Sequence, residues 1–587
     1  MIAIPIFIIS GMYRAVFRFI NSSYLIVISQ AIFAYGVIYF AIFTAIGVPG
    51  IPRGIGVIQP VLLLLAVIGL RVLTRYFLGG EYQKILRNHL KSKVIVYGAG
   101  MTGRQLAVAM RDSGEMRIVA FVDDAKDLHG SIINGVRVRN PAELASLIED
   151  LEVSEIILAI PSASRDRRNK ILADLQLLNV NVRTVPHILD LAHGRVTISD
   201  LQPLQVDDLL GRNPVPPDKA LLEKTVQGKV VLITGAGGSI GSEICRQICA
   251  LEPASLILVD NSEFALYAIH RELSKILAGS GTNIIPILSS VCDEVRMRKI
   301  FETWRPQTVY HAAAYKHVPL VEQNVIEGVR NNVLGTLICS KLSGEYKAER
   351  FVLVSTDKAV RPTNVMGASK RASELILQAS AVEMPDTLFS MVRFGNVLGS
   401  SGSVVPLFRQ QIAAGGPVTV THEEVTRYFM TIPEAAQLVL QAAAMSQGGE
   451  VYVLDMGEPV KIIDLARRII ELSGLRVRSA SEPDGDVDIE ITGLRPGEKL
   501  YEELLIGESP STTSHPRIMM ASESFLPFDR LMEEISDLQC MLLAQNSSDV
   551  REWLGRVVPE YKASAEIVDW LFGGSPEDAA RNIQAGG

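Results

Sequence analysis

Twice in this chain a short apolar run leads straight into a glycine-rich turn and then a helical pattern, and few folds accept that arrangement. The first instance is Val94-Ile95-Val96-Tyr97, followed by Gly98-Ala99-Gly100-Met101-Thr102-Gly103 and a helix expected over 104–110. The second is Lys229-Val230-Val231-Leu232-Ile233, followed by Thr234-Gly235-Ala236-Gly237-Gly238-Ser239-Ile240-Gly241 and a helix expected over 242–251. Short apolar runs keep alternating with amphipathic stretches from Lys93 onward, which predicts an α/β chain with two Rossmann-like, doubly wound parallel-sheet domains in series. In each turn the glycines permit a tight bend and let a phosphate approach the N-terminus of the next helix.

The two turns lead into different kinds of sequence. After the first, a strand over 118–122 ends in Asp123-Asp124, where a ribose-binding acid would sit, and further strands are expected over 155–160 and 181–185. No catalytic motif comes after them, so this domain reads as regulatory or structural. After the second, Gly235, Gly238 and Gly241 have the spacing of short-chain dehydrogenases, and the strand 255–259 ends at Asp260. A carboxylate there accepts hydrogen bonds from the adenosine ribose and repels a 2′-phosphate, so NAD is the expected cofactor. His311-Ala312-Ala313-Ala314 ends another strand with small residues, where Ala312 and Ala313 would let a flat cofactor lie close to backbone. A helix starting near Asn331 is expected beneath it.

The strand Phe351-Val352-Leu353-Val354 ends in Ser355-Thr356-Asp357-Lys358, at the sheet edge where open α/β folds carry their reacting groups. Short-chain dehydrogenases set a Tyr and a Lys one helical turn apart, the Lys holding the nicotinamide ribose. Here Lys370 is present, but the tyrosine position is Met366, whose thioether cannot transfer a proton. Asp357 and Lys358 offer a replacement pair: a carboxyl kept protonated by burial as donor, and a lysine of lowered pKa as base. Thr356 is expected to bond the hydroxyl being oxidised.

The first eighty residues are of another kind. The chain has 587 residues, 48% of them hydrophobic, and its mean hydropathy is positive. Tyr24 to Ile46 carries no charge and would reach about 34 Å as a helix, enough to cross a bilayer core. A second uncharged run lies between Arg53 and Arg71, and Gly47 to Arg53 is a breaker cluster between the two. Arg14 and Arg18 precede the first run; Arg71, Arg75, Lys84 and Arg87 follow the second; only Arg53 lies between. The positive-inside rule then gives a multi-pass anchor in the inner (cytoplasmic) membrane with the catalytic domain in the cytoplasm. The competing reading is a pair of core helices in a soluble domain. Residues 1–10 look like the tail of another apolar segment. The net charge of −7 without a basic run argues against nucleic acid. Cys245, Cys249, Cys292, Cys339 and Cys540 form no metal or disulfide framework and read as reduced thiols.

The expected domains are an anchor over 1–80, a degenerate Rossmann-like domain over 92–200, a proline-containing linker over 201–225, a catalytic domain over 226–520, and C-terminal helices with a polar tail over 521–587. The catalytic stretch resembles the membrane-bound, polysaccharide-biosynthesis branch of the nucleoside-diphosphate-sugar epimerase/dehydratase family. The segments that carry the resemblance are 233–241, His311 to Pro319, Ser355 to Ala359, Asn364 to Arg371, Val392 to Gly399 and Leu494 to Leu500. Members of this branch usually carry more membrane helices than the two runs here, which leaves the anchor topology open.

The resemblance implies an extended short-chain dehydrogenase fold and a UDP-N-acetylglucosamine 4,6-dehydratase, expected as a homo-oligomer. Its held NAD oxidises sugar carbon 4, water leaves across carbons 5 and 6, and the cofactor is regenerated. Asp357 would be the acid at the carbon 6 hydroxyl and Lys358 the base at carbon 5. Cofactor contacts are expected from Gly235, Gly238, Ser239, Ile240, Gly241, Asp260, Asn261, Asp293, Ala312, Ala313 and Lys370. The diphosphate needs cationic or amide donors. Arg393, Arg427 and Arg495 are candidates, with Lys316, His317, Asn332 and Asn396 at the sugar and phosphates, Val405 in a loop along the uridine, and Glu498 at its ribose. Two rivals remain: a 4-epimerase, which would need the acid/base that Met366 removes, and a non-catalytic nucleotide-sensing membrane scaffold.

Overall fold

The computed structural model describes residues 22–78, 92–111, 116–160, 163, 165–176, 178, 180–185, 202–203, 215–277, 281–473, 475–479, 483–504, 510–563, 567, 569 and 571. The expectations for residues 1–10, for the flanking charges Arg14, Arg18, Lys84 and Arg87, for most of the 201–225 linker and for the polar tail fall outside them. Contacts divide the chain into two units, one of 1–162 with 182–203 and one of 163–181 with 204–587.

The first unit opens with a helix Ser22–Phe40 that runs into a π-helical turn Ala41–Ile46, then a second helix Ile55–Leu78 containing Pro60. Ser29–Ile46 is long and apolar enough to cross a membrane. In the second helix the apolar stretch Ile55–Val67 is shorter than that. The sheet of this unit runs, edge to edge, Ile132–Ile133, Val136–Arg139, Met116–Val122, Ser92–Tyr97, Glu155–Leu158, Asn181–Thr184 and Gln202–Pro203. Ser92–Tyr97 is parallel to both its neighbours. Its second half is buried without alternation, because both faces are covered.

The second unit is built on a nine-stranded sheet. Asn283–Leu288, Ser255–Asp260, Val230–Thr234, Thr308–His311, Arg350–Val354, Leu388–Arg393 and Glu450–Leu454 follow one another in parallel, and Ile518–Ala521 and Ser511–Thr512 close one edge antiparallel. The chain order reverses between Val230–Thr234 and Thr308–His311, which opens a crevice at their carboxyl ends. Chain segments after Arg393 build a smaller lobe with its own core, including Leu398, Phe408, Val418, Phe429, Leu465 and Ile469.

The helix Val365–Glu383 is buried along most of its length. The helices Phe528–Leu543 and Ser547–Val557 cover it through Leu531, Ile535, Trp553 and Leu554. A boundary after residue 520 therefore cuts through a shared core. Each Leu or Ile deleted there would cost roughly 2–5 kcal/mol, so these helices belong to the fold they cover.

Candidate active site

The glycine turn of the second unit is fixed by close approach. Gly235 has φ +67°, and a β-carbon there would stand 2.7 Å from the Ala313 amide nitrogen. A β-carbon at Gly241 would lie 2.0 Å from the Gly235 carbonyl oxygen. No L-residue fits either contact, so strand, turn and helix close on one another. Gly238 caps the helix Ser239–Cys249, whose first turn, Ser239 and Ile240, presents its amides as helix N-termini do. Asp260 is buried at its strand end. Its carboxylate accepts from the Gly237 amide at 2.9 Å and from the Ser262 amide at 2.8 Å. The crevice holds a cleft of about 230 Å³ lined by Gly235, Gly237, Gly238, Asp260, Asn261, Ala312 and Ala313. Small residues, a helix N-terminus and a strand-end carboxylate fit an adenosine diphosphate.

Asp293 is not part of this cleft. It caps the helix Glu294–Trp304 by accepting from the Arg296 amide, and the segment before it lends Ser289 and Val291 to the cleft instead. Beside the glycine turn, His311 is wholly buried between the hydroxyls of Thr234 (2.7 Å) and Thr336 (3.1 Å). Burial, aided by the charge of Lys370, depresses its pKa to about 3, so the ring is neutral.

The proton-transfer residues lie at the end of the Arg350–Val354 strand. Thr356 caps a short 3-10 turn Asp357–Ala359. Its hydroxyl donates to Asp357 Oδ1 at 2.9 Å, and Lys358 Nζ donates to the same oxygen at 3.0 Å and to Asn396 Oδ1 at 3.3 Å. Asp357 has no exposed surface, and its Oδ2 has no hydrogen-bond partner among the described residues. A β-carbon at Gly395 would stand 3.1 Å from that oxygen, so the glycine makes room for it.

The expected lowered pKa of Lys358 is not observed. Burial does push the amine down, but Asp357 and Glu502 outweigh it and the net direction is up. Lys370 is the lysine brought down, to about 8, by burial that Glu374 only partly offsets. Its Nζ donates to the Val354 carbonyl at 2.8 Å. Met366, one turn earlier, sits among the apolar side chains of the helical core.

Three expected substrate contacts are corrected by burial. Arg393 is fully enclosed: its guanidinium donates to both oxygens of Glu374 (2.8 and 2.5 Å) and both of Glu523 (2.6 and 2.7 Å), and it presents no surface to a diphosphate. Asn332 accepts from the Tyr315 amide and donates to the Tyr315 carbonyl and Ser369, so it shapes the loop rather than a ligand. Val405 packs in the core of the small lobe.

Of the others, Lys316 and Arg427 lie near Lys358. Lys316 is lowered by partial burial and by the charge of Lys358. The His317 ring rests on Gly402, where a β-carbon would be 2.5 Å from it, and Ser401 N donates to Ser239 Oγ at 3.2 Å, joining this loop to the glycine turn. Arg427 pairs with Glu498 at 3.0 Å, Glu498 also accepts from the Arg495 amide at 3.2 Å, and the Arg495 side chain is exposed.

Sequence reading missed Glu502. Its buried carboxylate lies 3.7 Å from Lys358 Nζ and 3.8 Å from Arg427 Nε. A signal existed, since it stands four residues past Glu498 in the same segment. The partners Glu374 and Glu523 of Arg393 were missed as well, and Ser355 Oγ donates to Glu374 at 2.6 Å, tying that network to the catalytic strand end.

A family profile described as "Polysaccharide biosynthesis protein" matches residues 231–523, and one described as "C2185-like, N-terminal" matches 90–180. The capsular polysaccharide biosynthesis protein CapD of Staphylococcus aureus is 46% identical over 439 residues, which is 74% of this chain and 71% of that protein. A UDP-N-acetylglucosamine 4,6-dehydratase (inverting) of Campylobacter jejuni is 27% identical over 349 residues, 58% of this chain and 97% of that one. A UDP-glucose 4-epimerase of Rickettsia akari is 32% identical over 285 residues, 48% of this chain and 78% of that one.

Proposed function

The chain belongs to the polysaccharide-biosynthesis family of nucleotide-sugar epimerases and dehydratases, and from that premise we propose that it is a UDP-N-acetylglucosamine 4,6-dehydratase with NAD as its held cofactor. The observation that carries this reading is the hydrogen-bonded Thr356–Asp357–Lys358 cluster at a strand end whose neighbouring helix offers Met366 instead of a phenol. NAD, when bound, supplies the temporary oxidation of sugar carbon 4 that acidifies the proton on carbon 5.

The residues account for every proton. The carbon 4 hydroxyl passes its proton through the Thr356 hydroxyl to Asp357, along the 2.9 Å bond between them. Asp357 gives that proton to the carbon 6 hydroxyl, which leaves as water. Lys358, which gives its extra proton to solvent as substrate enters, takes the carbon 5 proton and returns it, so over the reaction neither Asp357 nor Lys358 gains or loses a proton. Lys370 orients the nicotinamide ribose, Asp260 the adenosine ribose, and Arg427, Arg495 and Glu498 the nucleotide of the substrate.

The membrane part of the reading rests on the Ser29–Ile46 helix and on the excess of positive charge outside the Gly47–Arg53 connection. It gives a multi-pass anchor with the catalytic unit on the cytoplasmic side.

Incubation of the full chain with UDP-N-acetylglucosamine in deuterated water tests the chemistry. The expected product is lighter by one water, apart from solvent label, with deuterium at carbon 5. An isomer of unchanged composition would convert the reading to an epimerase. Tight NAD binding without any product would leave a sensing scaffold.

A further inference from the structure

Glu502 has an unusual setting for a buried carboxylate. Its Oε1 faces two cations, Lys358 at 3.7 Å and Arg427 at 3.8 Å, both too distant for a hydrogen bond. Its Oε2 is buried with no partner among the described residues. Removing a carboxylate from water without hydrogen bonds costs several kcal/mol, and a structural ion pair would close those gaps. A charge held near an amine but not bonded to it acts through space.

We propose that Glu502 is a positioning residue of the reaction: with Asp357 it brackets the Lys358 amine and holds it protonated until substrate enters. The chemical meaning of this inference rests on the dehydratase reading above. The charged groups around the amine are Asp357 on its own turn, Glu502 and Arg427 from the small lobe, and Lys316 from the loop after Ala314. Lys499 faces Glu502 from its own segment. At Lys358 burial and the charge of Arg427 push the amine down, the two carboxylates outweigh them, and the net direction is up. Burial and Asp357 push Glu502 itself up, against Lys358, Arg427 and Lys499.

Glu502 rides on a segment bound to the catalytic loop at several other points. Gly497 accepts from Asn364 at 3.0 Å and Thr363 at 3.1 Å, and Lys499 donates to the Val360 carbonyl at 2.9 Å. Glu498, paired with Arg427, is on the same segment. Glu498, assigned to the nucleotide, and the residue that sets the charge of Lys358 are therefore carried on one bonded segment.

The test is the pH midpoint for acylation of Lys358, read by peptide mass spectrometry on the full chain labelled with acetic anhydride across a pH series. In Glu502→Gln the midpoint should fall by about one pH unit. The acid limb of kcat should shift the same way. A midpoint that is unmoved or rises overturns the proposal. Glu502→Asp keeps the charge but draws it back, so its midpoint should fall less; if Glu502→Gln does not fold, an unmoved midpoint in Glu502→Asp is equally decisive. Failure of the wild-type chain to dehydrate UDP-N-acetylglucosamine would defeat the dehydratase reading alone, because the labelling midpoint needs no turnover.

Discussion

The two glycine turns are built alike. In the first unit Asp123 accepts from the Ala99 amide at 2.7 Å and from the Ala125 amide at 2.9 Å. In the second, Asp260 makes the same pair of bonds to Gly237 and Ser262. Gly98 has φ +111° and a β-carbon there would lie 2.6 Å from the Ala159 carbonyl; a β-carbon at Gly103 would lie 2.0 Å from the Gly98 carbonyl, as at Gly241 and Gly235. The units diverge at their other strand ends. In the first, Asn181–Thr184 leads to buried Val185, whereas in the second Arg350–Val354 leads to Thr356, Asp357 and Lys358. A glycine turn with its acid is a local solution to placing a helix on a strand. Chemistry requires groups that distant strands deliver to the same edge.

That contrast predicts effects of graded size. Asp357→Asn should lower turnover about a thousandfold, the range for removing a positioned acid, while Asp123→Asn should leave it within about twofold because the proposed chemistry draws no group from the first unit. Product assays on both variants decide; a large loss from Asp123→Asn would mean that the first unit takes part in the reaction. Arg393→Ala should lower the unfolding free energy by about 3–5 kcal/mol, read from the denaturant midpoint, by taking a buried cation from Glu374 and Glu523. A raised KM with an unchanged midpoint would restore Arg393 as a diphosphate ligand. Gly235→Ala should weaken NAD binding on the order of tenfold through backbone strain, whereas Gly98→Ala should leave NAD affinity untouched. Fluorescence titration with the cofactor separates the two.

The smallest effect is one of pH. The neutral His311 has a folded pKa of about 3 against an ordinary 6.5. Its contribution is complete above the unfolded value and is lost as pH falls from 6.5 toward 3. Glu374, which burial would raise but Arg393 and Arg371 pull down to about 2, adds a loss below its ordinary 4.5. The chain's three tryptophans, Trp304, Trp553 and Trp570, all belong to the second unit. Tryptophan fluorescence should thus report that unit melting a few degrees lower at pH 5 than at pH 7, and His311→Gln should flatten the change. The described residues of the first unit include no buried histidine.

Much of this was readable from the residues. The strand–turn–helix units appear where the glycines put them, with the helices beginning a few residues earlier than expected, at Met101 and Ser239. Asp260 and the Thr356–Asp357–Lys358 run stand at strand ends, because hydrophobic runs and their polar stops are local signals. Assignments that depended on which side chains face one another were less legible. Asp293, expected at the cofactor, is a helix cap; Asn332, expected at the sugar, is consumed by Tyr315 and Ser369.

The sequence alone determined the sheet class, the turns that only glycine can make and the absence of a phenol at 366, since each comes from the covalent nature of one residue or a spacing within a single element. Tertiary structure decided which arginine is sealed and which way Lys358 titrates. Arg393 meets Glu523 from 130 positions away, and Lys358 meets Glu502 across the small lobe. Charge and burial act through distance in space, and separation along the chain does not encode that distance.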